Sequence, residues 1–77
     1  MNPQKLVKMA NEIASFFEGE PDRPAVLEGV AGHLRRFWDP RMRREILRWY
    51  DEHQGEGLKD SVREAIAVHR DKLTGGV

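Results

Sequence analysis

Six of the chain's thirteen basic residues fall between Leu34 and Arg48: Arg35, Arg36, Arg41, Arg43, Arg44 and Arg48, against only Asp39 and Glu45. A guanidinium is a permanently charged planar fork. It pairs bidentately with carboxylates or phosphates and stacks on aromatic faces. With Phe37 and Trp38 set among these arginines, the stretch reads as a contact surface. Catalytic chemistry has no comparable constellation. His33, His53 and His69 lie far apart with no histidine–glutamate metal spacing, and no glycine-rich phosphate loop precedes a helix. Ser15 and Ser61 lack the base and orienting group that a nucleophile needs. Paired-acid catalysis requires carboxylates held around a cleft with their pKa values pushed apart. Glu12, Glu28, Glu45 and Glu64 instead read as solvated helix positions. The chain is expected not to be an enzyme.

The elements that position these residues follow from hydrophobic period and capping signals. Asn2 and Pro3 open a first helix in which Leu6, Met9, Ala10, Ile13, Phe16 and Phe17 recur at three-to-four-residue spacing, and Gly19-Glu20-Pro21 stops it. Asp22 and Pro24 open a second, with Val26, Leu27, Val30, Ala31, Leu34, Phe37 and Trp38 along one face. Gly29 and Gly32 weaken that helix by about 1 kcal/mol each relative to alanine, which points to close backbone approach. Asp39 caps a third helix with Pro40 at its first position, and Met42, Ile46, Trp49, Tyr50 and His53 form its inward stripe. Gln54-Gly55-Glu56-Gly57 is a loop. A fourth helix follows through Leu58, Val62, Ala65, Ile66, His69 and Leu73 and ends at Gly75-Gly76, with the Ser61 hydroxyl assisting its cap. The expected fold is all-α: a compact array of four short helices with an Asp-Pro corner between helices two and three. Residues 1–77 form one small domain with a packed unit of about 3–73.

Seventy-seven residues bury only roughly 60–65% of the surface exposed on unfolding, so partner binding is expected to supplement a thin stability margin. There is no cysteine for a disulfide or thiolate metal site. Thirteen basic and thirteen acidic residues cancel, so the total charge favours neither nucleic acid nor an acidic partner. No apolar run approaches the ~18 residues of a membrane span, and no signal-peptide core opens the chain. A cytoplasmic protein without membrane association is expected.

Within the apparent contact surface, Phe37 and Met42 are expected in the core, and Asp39 and Pro40 are expected to fix the helix angle. Trp38 borders both the core and the corner. Arg41, Arg44 and Arg48 are successive helical neighbours forming a basic stripe, with Arg35 and Arg36 approaching from the preceding helix. His33 stands beside the patch, either packed or hydrogen-bonding to a partner. His53 and His69 read as structural. Asn11 either bonds across a helical junction or stays at the solvent edge.

The run Leu34-Arg35-Arg36-Phe37-Trp38-Asp39-Pro40-Arg41-Met42-Arg43 resembles the small delta subunit of NAD-dependent, molybdenum-containing formate dehydrogenases. Leu6 to Phe17 resembles that family's first helix, where an asparagine follows a methionine–alanine pair and precedes an aromatic pair. Gly57-Leu58 and Val62-Arg63-Glu64-Ala65 are similar to its carboxy-terminal region, so the resemblance covers about residues 5–67. Asp60 stands where a proline is common in the family. The resemblance implies a non-catalytic accessory subunit that binds the catalytic alpha subunit and supports its assembly, cofactor-loaded maturation or stability. It implies a partner complex carrying bis-molybdopterin guanine dinucleotide, iron–sulfur clusters and flavin and using NAD, with no cofactor in this chain. Together with the basic stripe it gives Asn11, His33, Arg35, Arg36, Trp38, Arg41, Arg43, Arg44 and Arg48 as candidate partner-binding residues. Two other readings compete: a small helical nucleic-acid-binding domain using the arginine patch, disfavoured by the neutral total charge, and a self-associating helical module.

Overall fold

Two short polar side chains, each followed by proline, start helices where their chemistry requires it. Asn2 Oδ1 accepts from Gln4 N at 2.8 Å and Asp39 Oδ1 from Met42 N at 2.9 Å. Each satisfies an otherwise orphaned amide, while proline at the first helical position has none to satisfy. The computed structural model describes residues 2–74. Its helices are α1 (Pro3–Phe17), α2 (Arg23–Phe37), α3 (Pro40–His53), α4 (Asp60–Val68) and α5 (Arg70–Thr74). α2 is central, packed against α1, α4 and α5, and α3 lies against α1 and α5. Leu6, Val30, Leu34, Ile46, Val62 and Ile66 interlock where the helices meet and are fully buried. Each such side chain contributes about 1.5–3 kcal/mol.

Among the described residues five helices, not the expected four, build the array. The final helix breaks at His69, whose backbone (φ −113°, ψ 28°) leaves the helical region. The break turns α5 back onto α2 and α3, burying Leu73 and letting Arg70 grip Asp51 through two bonds of 2.9 and 2.6 Å. The apolar period runs through the break without interruption, and neither glycine nor proline marks it. Gly75 and Gly76, expected to end that helix, lie outside the described residues.

Other expectations are corrected by the packing. Phe16 and Phe37, both expected on inward faces, are 84% and 70% exposed. Helix α2 ends at Phe37, and the extended backbone of Trp38 (φ −89°, ψ 137°) swings the indole into the core in its place. His53 is exposed and lies against Trp49 at 4.3 Å, while Trp49 Nε1 donates to the Glu56 carbonyl. The buried Ser61 hydroxyl donates to Glu18 and takes no part in capping α4. Gly29 meets the close-approach expectation: a Cβ there would sit 2.6 Å from the Phe17 ring, whereas one on Gly32 would meet only Arg36 at 3.7 Å. In the α3–α4 loop, Gln54, Gly55 and Gly57 all have positive φ, which explains the glycines.

Candidate partner-binding site

The corner between α2 and α3 is built by the residues that read as its contact surface. Arg43, one turn into α3, points inward and is 8% exposed. Its Nη1 donates to the Arg35 carbonyl at 2.7 Å and to the Trp38 carbonyl at 2.9 Å. Both acceptors belong to the C-terminal end of α2, where unpaired carbonyls concentrate negative potential. Arg43 is therefore an internal cap for α2, contrary to its expected place on the recognition face. Trp38, at 4% exposure, belongs to the core and contributes only to the floor of the surface above it. Arg35 is anchored as well, its Nη1 donating to the Lys72 carbonyl at the end of α5.

Above this corner runs an open apolar groove of about 580 Å³, with Met9 and Ile13 of α1 facing His33 and Phe37 of α2, and with Trp38 and Met42 at one end. Four rings line up along it. Phe16 meets Phe17 edge-on at 5.8 Å, Phe17 lies 6.5 Å from His33, and His33 is 4.7 Å from Phe37. His33 Nδ1 is buried without a hydrogen-bond partner, and the ring lies between those of Phe17 and Phe37. Met42, expected in the core, is only partly buried against it. The sequence carried no signal for this groove. Adjacent residues on a helix point about 100° apart, yet the adjacent pairs Val26-Leu27 and Ile46-Leu47 are both buried, so Phe16-Phe17 and Phe37-Trp38 do not by spacing alone mark an outward ring.

Outside the groove, Arg36, Arg41 and Arg44 are exposed and make no ion pair or hydrogen bond among the described residues. Arg48 approaches Glu52 at 3.8 Å, both of them well exposed, a geometry worth little in water. The structure thus divides the basic cluster: Arg43 and Arg35 hold the fold, and Arg36, Arg41, Arg44 and Arg48 face solvent. The model of the NADH-dependant formate dehydrogenase delta subunit FdsD family matches residues 5–66, spanning both walls of the groove and the corner. The chain belongs to that family. No curated protein and no solved structure matches the chain. As a delta subunit it has an accessory role in a formate dehydrogenase complex and is not itself the catalyst. Among the described residues no group of three histidine, cysteine or carboxylate side chains could hold a metal, and no helix is long and apolar enough to cross a membrane.

The remaining candidate, Asn11, bonds across a helical junction. Its Nδ2 donates to the Gly57 carbonyl and its Oδ1 accepts from Lys59 N, both at 2.9 Å, so one α1 side chain clamps the loop leading into α4. Two turns further on, Glu18 accepts from the Ser61 hydroxyl at 2.7 Å and from Lys59 Nζ at 3.0 Å. The Ser61 bond, then the Lys59 bond and charge, hold the Glu18 carboxyl below its ordinary range. The Arg70 fork does the same for Asp51. These two carboxylates lock α1 to α4 and α3 to α5 in the delta subunit, away from the groove.

Proposed function

We propose that this delta subunit binds the catalytic alpha subunit of a molybdenum-containing, NAD-dependent formate dehydrogenase and supports its assembly, cofactor-loaded maturation or stability. The family match across residues 5–66 carries this reading. In it, bis-molybdopterin guanine dinucleotide, iron–sulfur clusters and flavin reside in the partner complex. This chain has no cysteine, and no group of three histidine or carboxylate side chains among its described residues could hold a metal ion. The partner meets the outward arginines Arg36, Arg41, Arg44 and Arg48, whose forks suit carboxylates. Asn11, Arg35, Trp38 and Arg43 contribute by holding the surface in shape.

The test is to produce the complex with and without this chain. Co-purification of the chain with the catalytic subunit, and lower formate-dependent NAD reduction and molybdenum content in its absence, are expected. Neither association nor any effect on the matured enzyme would overturn the reading.

A further inference from the structure

Folding leaves one surface unfinished. Phe16 and Phe37 expose most of their area on the two sides of the groove, and His33 between them has a buried nitrogen with no partner. Large exposed aromatics gathered on one concave surface of a small protein mark a binding site more often than chance exposure. Cations outnumber carboxylates around the groove. Lys5 and Lys8 stand one helical turn before Met9 and Glu12, Arg36 stands three residues after His33, and Arg41 directly precedes Met42. None of these four cations has an ion-pair partner among the described residues, and Glu12 is the only carboxylate lining the groove. A second copy of this chain is a poor occupant. A two-fold contact through the groove would bring two copies of the same cation set into one interface, and among the described residues the only large exposed apolar side chain besides Phe16 and Phe37 is Val68.

Resting on the accessory-subunit reading above, we propose that this groove takes an amphipathic helical segment of the catalytic subunit whose apolar side chains are flanked by carboxylates. The apolar face enters between α1 and α2, as helices do in apolar grooves elsewhere. Its carboxylates meet Lys5, Lys8, Arg36 and Arg41. Phe16 and Phe37 are the anchors and the cations set orientation and encounter rate.

The experiment places the photo-crosslinking residue benzoylphenylalanine at Phe37, or at the exposed Ala67 on α4 as a control, in the full chain co-produced with the rest of the complex. Crosslinking from position 37 but not 67, mapped by mass spectrometry to an acid-flanked apolar segment of the catalytic subunit, is expected. The Phe16→Ser/Phe37→Ser variant should keep its helical circular dichroism and bind the catalytic subunit about thirtyfold or more weakly. Arg36→Gln/Arg41→Gln should bind more weakly and lose part of the parent's salt sensitivity. If the parent binds but the double serine variant binds equally well, or position 37 crosslinks only to a second copy of the chain, the groove proposal is overturned and the accessory role stands. Failure of the parent to bind at all overturns both.

Discussion

Replacing Arg43 with methionine keeps most of the buried stem and removes only the guanidinium, so it isolates the cap on α2. The parent makes two charge-assisted bonds, to the Arg35 and Trp38 carbonyls. Hydrogen bonds to charged groups contribute about 1.5–3 kcal/mol each, so their loss removes roughly 3 kcal/mol or more. Two terms oppose this. Arg43 Nε is buried without a partner, which costs about 1–3 kcal/mol, and the variant no longer desolvates a cation. The balance is a loss of about 1–3 kcal/mol, a large share of the ~4–12 kcal/mol expected for a chain of this length. It corresponds to a midpoint lowered by about 4–8 °C for each kcal/mol. Urea and thermal unfolding followed by circular dichroism measure it, with Arg44→Met as the exposed neighbour expected to stay within about 0.5 kcal/mol of the parent. Equal stability of the two variants would refute the assignment of Arg43 as the internal cap.

The paired substitutions Gly29→Ala and Gly32→Ala on α2 should differ in sign. The first drives Cβ into the Phe17 ring and should lose about 1 kcal/mol despite its better helix propensity, while the second meets only a movable Arg36 terminus and should gain about 0.5–1 kcal/mol in the same unfolding assay. Asn11→Ala removes both bonds that clamp the α3–α4 loop and should cost about 1–3 kcal/mol, with faster proteolysis near Gly55–Gly57 as an independent readout. Acid should lower the domain's stability in part through Glu18 and Asp51. Because their folded pKa values lie below the ordinary 4.5 and 3.8, their contribution is complete above those values and fades as pH falls through the folded ones. Glu18→Gln should flatten the acid limb of a stability–pH profile and leave the neutral region's slope unchanged.

Local chemistry made the starts of α1 and α3 legible, because an Asn-Pro or Asp-Pro pair carries its structural consequence within four residues, whereas Asp22, expected to cap α2, makes no side-chain cap bond. Period alone also placed Leu6, Val30, Leu34, Ile46 and Ile66 in the core. What it could not assign was the partner of each face. Arg43 and Arg44 are adjacent and chemically identical. One is buried because the end of α2 happens to lie against its side of α3, a fact about crossing geometry that spacing does not encode. Phe37 shares a helical face with Val30 and Leu34, yet α2 stops there and its ring is left largely exposed. The break at His69 was invisible for the opposite reason: the stripe Leu58, Val62, Ala65, Ile66, Leu73 stays in register through a change of direction. The arginine cluster was legible as a cluster, and its division into fold-holding and outward members was not.

That division sets fold-holding and outward arginines side by side at one corner. Asp39 starts α3, Arg43 ties α3 to the end of α2, and Arg35 ties α2 to α5. Because Trp38 is drawn into the core by the same chain reversal, Phe37 is left outside and Arg36 and Arg41 are left flanking it. At the corner that Arg43 caps, one of the two adjacent aromatics is thus buried and the other exposed. A chain this small leaves little stability in reserve. Any partner that covers Phe16 and Phe37 adds apolar burial to the native state alone and stabilises it by mass action. In a delta subunit of this construction, the groove's exposure is a consequence of how the α2–α3 corner closes, and its occupation would complete the core that Trp38 begins.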